Sequence, residues 1–521
     1  MLPYLAKFLP VRVHEHMESF ILKNYGRTHW ATTKLPSEFF EVISGKKLLS
    51  MFHHAAKNVP GYKKFLAEHR INPSAIQTVG DFDTHVVETN KDNYIRKYSY
   101  ESRCVDGKFP HDGNIDESSG SSGKPTNWIR SIKEESLLFN VAQFEFNYCY
   151  DVKNKQYIVL SAWSTGPWAT GIKFCEIIEH SALVKSTDTN VEDIIETLKL
   201  FGPKYNYLIA GYPPFLKKLV DEGADKIRWK DYKIDIMTGG EGNIIEWNYY
   251  MKDKLGQNCK IVSSYGCSDI DIGIGFETDF SFFIRELCNK NRKLRQELFG
   301  HGDKLPMIFQ YNPLMHYIRQ IPIERADGSK IYEYEITLLD RNVVSPKIKY
   351  NLKDEGGVIK FNDMLSILGS HVPDFLDRFQ KKGHQREPLL RLPFLYIVDR
   401  SDGTISLDGA NIYPHQIERC IHRDRGLLAN VHLFKMALEY NKKKNSVFKV
   451  MLELKEGIKP SQLLAKKASS VILRELQNLN YDYRESYTND KILAPVVALF
   501  RYGEGPFHPK FKKIKHKYIH T

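Results

Sequence analysis

The segment SSGSSGKP, residues 118–125, has the composition of a loop that binds phosphate groups. Gly120 and Gly123 carry no side chain, so backbone N–H groups at these positions can approach an anion. Lys124 adds a positive charge, and serine hydroxyl groups add further donors. These hydroxyl groups belong to Ser118, Ser119, Ser121 and Ser122. A flexible Ser/Gly linker is the alternative interpretation of the same composition.

The segment does not match the Walker P-loop. That motif, G-x-x-x-x-G-K-[ST], requires glycine at position 118 and Ser or Thr at position 125. The chain has Ser118 and Pro125 there. Because a proline disfavours helical angles at the residue before it, we predict that the chain leaves the loop in an extended conformation.

A second segment that could bind anions is the C-terminal PKFKKIKHKYIHT, the densest cationic stretch of the chain. Its lysines stand at positions 510, 512, 513, 515 and 517. A solvated tail is the alternative. The whole chain has a net charge of +12, which favours anionic partners such as nucleotides, phosphorylated cofactors or nucleic acids.

The segments around these residues alternate between helix-like and strand-like patterns. Helical periodicity occurs in residues 37–59, 191–201 and 213–223, and β-rich runs occur in residues 156–163, 205–212, 232–240 and 259–266. This alternation predicts an α/β fold with layered, mostly parallel sheets in a large N-terminal domain. Residues 306–360 show successive short strands instead, which we interpret as a small barrel-like β region.

The pattern starts again near residue 399 with a hairpin, a helix, a strand and a second helix. An Asp-Gly turn at Asp402 and Gly403 follows an apolar strand there, which is typical of a boundary. We therefore predict a large domain over residues 1–398 and a small α+β domain over residues 399–521.

The composition excludes several other classes of protein. The 521 residues are 42% hydrophobic and 26% charged, which is typical of a globular chain of two or more domains. The first 30 residues contain His and Glu where a signal peptide needs an apolar stretch, and no run approaches the length of a membrane span. The 7 cysteines are scattered and never form C-x-x-C, which excludes a thiolate zinc site of that type. We expect a cytoplasmic protein.

Several segments resemble motifs of the adenylate-forming enzymes, the superfamily of acyl-CoA synthetases, luciferases and peptide-synthetase adenylation domains. SSGSSGKP is similar to their SSGTTGKPK loop. The other similar segments follow in the family's order: MTGGEGN (237–243), SSYGCSD (263–269), PKIKYNLKD (346–354), VDRSDGTISLDGANIYPHQIE (398–418) and HPKFKKI (508–514). Residues 58–82 resemble the phenylacetate-CoA ligase and capsule-biosynthesis branch. The resemblance covers the chain from about residue 50 to its end.

The resemblance implies a nucleotide site. Residues 118–124 would hold the β- and γ-phosphates of ATP. Gly239 and Gly240 would let adenine lie against the backbone, with Glu241 fixing their loop, unless the two glycines only form a tight turn. Tyr265 would stack on adenine, and Asp354 would accept hydrogen bonds from the ribose hydroxyl groups.

The resemblance also implies catalytic and hinge residues. Asp269, one methylene shorter than the family's glutamate, would support Mg²⁺, with a capping role as the alternative. Arg400 would contact ribose or phosphate, and Asp402 and Gly403 would form the hinge of a mobile C-terminal domain. Lys510 would reach the α-phosphate and the substrate carboxylate, and Lys512 or Lys513 would replace it in another register.

The chain departs from the family pattern at Asp269, Asn351, Lys353 and Pro509. Asn351 stands in place of an arginine, and Lys353 and Pro509 stand in place of glycines. Segment 161–171, SAWSTGPWATG, contributes Trp163 and Trp168 either to an acyl pocket or to the core.

The activity that the resemblance implies is an ATP- and Mg²⁺-dependent carboxylic-acid ligase, which forms an acyl-adenylate and transfers the acyl group to coenzyme A. One alternative is transfer to an amine, such as an amino acid or an amino sugar. A second is a catalytically degenerate family member. A third, a basic nucleic-acid-binding protein, finds no support in any segment, because none resembles a module that reads DNA or RNA.

Overall fold

The computed structural model of the protein describes residues 6–118, 126–165, 169–300, 305–324, 330–382, 388–400, 403–441 and 444–508. The first strands are β1 Asn114–Ser118, β2 Thr126–Arg130, β3 Tyr157–Ser161, β4 Leu183–Ser186, β5 Asn206–Gly211, β6 Lys233–Thr238, β7 Ile261–Cys267, β8 Asp271–Phe276 and β9 Met307–Gln310. The later strands are β10 His316–Glu324, β11 Lys330–Leu338, β12 Tyr350–Ile359, β13 Phe394–Arg400, β14 Ile405–Leu407, β15 Ala410–Ile412, β16 Val431–Tyr440, β17 Ser446–Leu454 and β18 Val496–Phe500.

The α-helices alternate with these strands. The first ten are α1 Val11–Leu22, α2 Tyr25–Lys34, α3 Ser37–Asn58, α4 Pro60–Glu68, α5 Val79–His85, α6 Ile132–Tyr150, α7 Ala169–Ile178, α8 Val191–Phe201, α9 Pro213–Glu222 and α10 Ile245–Leu255. The others are α11 Asp279–Lys290, α12 Arg292–Phe299, α13 Phe361–His371, α14 Phe375–Lys381, α15 Pro414–Arg423, α16 Arg425–Asn430, α17 Gln462–Leu479 and α18 Tyr481–Asn489. None of those in the described ranges is long and apolar enough to cross a membrane.

A mixed sheet of eleven strands, in the order β10-β11-β12-β13-β9-β8-β7-β6-β5-β3-β4, organises the larger part of the chain. Strands β4, β3, β5, β6 and β7 are parallel to one another. β3 is buried along its whole length because helices cover both faces of this half of the sheet. The predicted α/β layering with a mostly parallel sheet is confirmed.

The expected barrel-like region is an antiparallel extension of the same sheet. β10, β11, β12 and β13 pair in that order, and β13 then pairs with β9. This last pairing joins the antiparallel strands to the parallel half, so they do not close on one another. No closed barrel is present among the described residues.

Residues 403–508 have a core of their own. The hairpin of β14 and β15, the sheet β16-β17-β18 and helices α15 and α17 enclose a cluster that includes Ile417, Met436 and Ile472. Asp399 and Arg400 still belong to the large sheet, where they pair with Glu355 and Asp354. This separate core is consistent with the predicted division into two domains, and the position of the boundary stays a prediction.

Candidate active site

A cavity of about 310 Å³ lies where the carboxyl ends of the parallel strands meet the C-terminal part of the chain. Trp163, Tyr212 and Gly239, which follow β3, β5 and β6, contribute to its wall. Ligands bind at this edge in open α/β sheets. One end of the cavity is polar and carries Lys91, Arg96, Lys353 and Arg400. The other end is apolar.

The serine-glycine segment begins at this cavity. Ser118, the last residue of β1, lines the wall, and β1 pairs with β2 in the register Ser118↔Thr126. The Ser118 hydroxyl accepts a hydrogen bond from Trp128 Nε1 at 3.1 Å. Residues 119–124 lie outside the described residues, so their phosphate-binding role stays a prediction. Thr126 starts a strand, which agrees with the extended exit predicted from Pro125.

Gly239 and Gly240 also line the cavity, and their role in adenine binding stays a prediction. Gly240 has φ +76°, and a Cβ atom there would lie 2.6 Å from the Tyr212 ring. Gly409, in the turn between β14 and β15, has φ +82° and would meet the same ring at 2.8 Å. Tyr212 therefore lies between two glycines, one from each core. Neither position accepts a side chain without displacing this ring.

Glu241 connects the two cores directly. The backbone N–H of Gly409 donates a hydrogen bond to Glu241 Oε1 at 3.1 Å. Burial, together with the nearby Asp408 carboxylate, raises the pKa of Glu241 to about 8. Burial also raises the pKa of Asp408 to about 7, with Asp490 adding to the effect. These carboxyl groups are favoured in their neutral form in this contact.

Glu241 should make stability pH-dependent. Because its folded pKa of about 8 exceeds its ordinary value of 4.5, it favours folding below pH 4.5, and this contribution is lost as the pH rises to about 8. Glu241→Gln should remove this pH-dependent contribution to stability. We expect the melting temperature of the variant to rise relative to the wild type by roughly 3–6 °C over this interval. Parallel melting curves for the two proteins across this pH range would contradict the assignment.

Three residues implied by the resemblance meet behind the polar wall. Arg400 Nη1 lies 2.9 Å from Asp354 Oδ1. Tyr265 donates its hydroxyl hydrogen to Asp354 Oδ2 at 2.6 Å, and the Tyr334 hydroxyl lies 3.2 Å from the same oxygen. Burial, then the Asp354 charge, raises the pKa of Tyr265 well above its ordinary value.

Of these residues, Arg400 is part of the cavity wall and Asp354 and Tyr265 are not. The Tyr265 ring packs against Phe309, with centroids 5.7 Å apart. In this arrangement the Asp354 carboxylate already binds Arg400 and two phenols. Ribose binding by Asp354 and adenine stacking by Tyr265 stay predictions, and both require these side chains to exchange partners.

Lys353, which stands in place of a glycine in the family pattern, has a left-handed backbone. Its φ is +65°. Asn351 Oδ1 accepts its backbone N–H at 2.7 Å, and its Nζ lies 3.3 Å from Glu88 and 3.4 Å from Glu333. A left-handed backbone is thus kept without glycine, which requires stabilisation by the surroundings.

This geometry predicts different stabilities for two variants that both lack the ammonium group. Lys353→Gly relieves the left-handed strain, whereas Lys353→Val places a β-branched residue at positive φ. We expect the valine variant to be less stable than the glycine variant by about 2 kcal/mol, as measured by urea denaturation. Equal midpoints and slopes would show that φ at this position does not limit stability.

Asp269 is already paired with a cation from the N-terminal part of the chain. Lys91 Nζ lies 3.1 Å from Asp269 Oδ1, and the Tyr350 hydroxyl donates to Oδ2 at 2.8 Å. Burial is the largest influence and would lower the pKa of Lys91, but the Asp269 charge, the Tyr413 hydroxyl and the hydrogen bond to Asp269 together outweigh it, so the net shift is upward. Lys91 therefore carries a positive charge in the cavity wall.

The Asp269 environment does not fit a preformed Mg²⁺ site, because an ammonium group and a phenol occupy its two oxygens. The described ranges also contain no group of three or more His, Cys, Asp or Glu side chains that could hold a metal ion. Support of Mg²⁺ by Asp269 stays a prediction.

Two residues that line the cavity, Lys91 and Glu145, were not predicted from the sequence. Lys91 follows Asn90, whose side chain accepts the backbone N–H groups of Asp92 and Asn93 and so begins a single π-helical turn. Nothing in that local sequence pattern predicts that Lys91 forms an ion pair with Asp269. Glu145 is different, because it is a lone carboxylate in the apolar run FNVAQFEFNYCY, residues 139–150. A carboxylate in such a run is a signal from which the sequence could have indicated Glu145 as a functional residue.

The remaining predicted residues are placed only in part. Gly403 has φ +79°, which suits a hinge glycine. Asp402, Lys510 and Trp168 lie outside the described residues. Trp163 is buried, lines the cavity and packs edge-on against Tyr212, with centroids 4.9 Å apart.

Neither a protein-family model nor a curated protein sequence matches the chain. Solved structures of a 2-hydroxyisobutyryl-CoA ligase are similar in fold. Its complex with 2-HIB-AMP and CoA in the thioesterification state has a TM-score of 0.60 at 12% identity, covering 94% of this chain and 91% of that one. Its postadenylation state with R3-HIB-AMP has a TM-score of 0.52 at 12% identity and the same coverage, 94% and 91%. This protein therefore has the fold of the adenylate-forming ligases.

Proposed function

We propose that the protein is an ATP-dependent carboxylic-acid ligase that forms an acyl-adenylate and passes the acyl group to coenzyme A. The observation that carries the proposal is the single cavity with a cationic end and an apolar end, beside Gly239, Gly240 and the end of β1. A nucleotide and an apolar acid need these two environments side by side.

In the first step, a carboxylate oxygen of the acid attacks the α-phosphorus of ATP. A C–O–P bond forms, and the bond to the leaving pyrophosphate breaks. Negative charge builds up on the phosphoryl oxygens, and fixed cations that face them lower the barrier. Lys91 and Arg400 are such cations in the described wall. Lys510 adds a third charge in this proposal.

In the second step, the sulfur of CoA attacks the acyl carbon, AMP leaves and the thiol loses its proton. The described arrangement suits this step, because the β14–β15 turn at Gly409 reaches the cavity and contacts Glu241. The higher TM-score with the ligase in its thioesterification state supports the same assignment. Rotation at Gly403 would then exchange this turn for the segment that carries Lys510.

The experiment that tests the proposal is pyrophosphate–ATP exchange with a panel of carboxylic acids. We expect exchange that depends on one class of acid. Exchange that occurs without any acid would reject the activity, and so would the absence of exchange with every acid tested. For an acid that supports exchange, AMP release with CoA is then compared with release in the presence of amino acids and amino sugars. Faster release with an amine would replace CoA as the acceptor.

A further inference from the structure

Among the described residues, one carboxyl group, that of Glu145, lies in the apolar end of the cavity. The wall there comes from α6 and α7 and from the strands beneath them, with Phe146, Trp163 and Phe174 as its large members. Glu145, on α6, points into this region from between Phe144 and Phe146. An acidic residue in such a wall needs an explanation, because a carboxyl group without a partner is costly to bury.

Glu145 also lines a second cavity. This cavity, of about 320 Å³, lies beneath α1, α2 and α3 and has almost entirely apolar walls. Glu145 and Phe276 belong to the walls of both cavities, so these two side chains separate them. The carboxyl group is thus enclosed by protein while it still faces open space.

No group in the described part of the chain compensates this carboxyl. The influences on its titration are burial and, secondarily, the charge of Asp271, and both raise its pKa well above the ordinary value of 4.5. No hydrogen bond or ion pair contributes. This environment favours the neutral carboxylic acid, which can donate one hydrogen bond and accept another.

We infer that Glu145 selects the substrate, which is a carboxylic acid with an apolar body and a hydroxyl group at the end remote from its carboxylate. This inference rests on the proposed function, since it assigns the acid of that reaction. The cationic end holds the carboxylate and phosphate groups, and the aromatic walls hold the body. The distal hydroxyl then forms a hydrogen bond with Glu145.

Three features favour a hydroxyl group over other partners. A methyl or aryl end would leave the carboxyl group buried and unpaired. An ammonium group requires an ionised Glu145, which burial disfavours. A second carboxylate would repel any residual charge there. A site that hydrogen-bonds a substrate hydroxyl rejects the analogue that lacks it, because its own polar group is then left unsatisfied.

The test uses matched acids and direct binding. The probes are 3-(4-hydroxyphenyl)propanoate with 3-phenylpropanoate, and 4-hydroxybenzoate with benzoate, so that the distance between the two polar groups also varies. Calorimetry on the full chain measures binding. For the pair of the right length, we expect the hydroxylated acid to bind roughly 10- to 100-fold more tightly than its partner.

Variants identify the residue responsible. Glu145→Leu should abolish the preference or reverse it, whereas Glu145→Gln, which keeps a donor and an acceptor, should retain part of it. Asn140→Ala, on the same helix, changes a side chain that lines neither cavity and should behave as wild type. We also expect Glu145→Leu to melt at a higher temperature, since it removes an unpaired buried group.

Each outcome decides the inference. The inference is overturned if wild type and Glu145→Leu show the same preference for the hydroxylated acid. It is also overturned if wild type binds the unsubstituted acid, or the acid with an amino group in place of the hydroxyl, more tightly than the hydroxylated acid. Failure of every probe to bind overturns it as well. If the hydroxylated acid binds with the expected preference but supports no pyrophosphate exchange, the hydroxyl-binding role of Glu145 stands, while the proposed activity and the acid's assignment as its substrate fail.

Discussion

Replacing Lys510 by alanine will lower acid-dependent pyrophosphate–ATP exchange by about 10²- to 10³-fold. An ammonium group that reaches the α-phosphate only in the adenylating arrangement stabilises the transition state more than the ground state. The second step uses a different arrangement, so transfer from a supplied acyl-adenylate to CoA should stay close to the wild-type rate. The two half-reactions are measured separately by exchange and by thioester formation.

Neighbouring lysines provide the control for this prediction. Lys512→Ala and Lys513→Ala carry the same loss of charge and should each lower exchange less than threefold. If one of them instead shows the large loss, the catalytic lysine is in a different register. If Lys510→Ala slows both half-reactions equally, the proposed rotation of the C-terminal domain is wrong.

Replacing Lys91 by methionine should lower exchange by about 10²-fold, because a fixed positive charge disappears from the polar end of the cavity. It should also destabilise the protein, since Asp269, with a side chain only 8% exposed, loses its cation. Lys91 is partly exposed, so the expected loss is about 1–3 kcal/mol by urea denaturation. Lys91→Arg should keep most of the stability.

A double variant separates the two effects. Lys91→Met combined with Asp269→Asn leaves no unpaired charge and should recover most of the stability, while exchange stays low. Recovery of exchange in this double variant would mean that Lys91 serves only to neutralise Asp269. Wild-type exchange in Lys91→Met alone would remove Lys91 from the proposed site.

Local sequence patterns predicted the elements of the parallel half well. The periodicity of residues 37–59 corresponds to α3, and the β-rich runs correspond to β3, β5, β6 and β7. These patterns suffice because each element buries a face that its own sequence defines.

Long-range pairings were not predictable in this way. The short strands after residue 306 gave no sign that β13 pairs with β9 and joins the large sheet, because that register depends on residues about 85 positions apart. The residues of the Lys91–Asp269 pair are even farther apart in the sequence. Gly239, Gly240 and Arg400, which the motifs singled out, line the cavity, and each lies close to the end of a strand.

Departures from the family pattern became interpretable only with coordinates. Lys353 has a left-handed backbone, and Asn351, another departure, accepts its backbone N–H. Asp269 binds Lys91, which the motif alone could not indicate. Both substitutions are thus accommodated by specific contacts within the fold.

The most direct test of the central claim follows the carboxylate oxygens of the substrate. The acid that supports exchange is labelled with ¹⁸O in both oxygens, incubated with ATP and the acceptor, and the phosphate products are examined by mass spectrometry. Attack on the α-phosphorus predicts AMP that carries one ¹⁸O atom, with unlabelled pyrophosphate. Unlabelled AMP, or ¹⁸O in orthophosphate, would show that no acyl-adenylate forms.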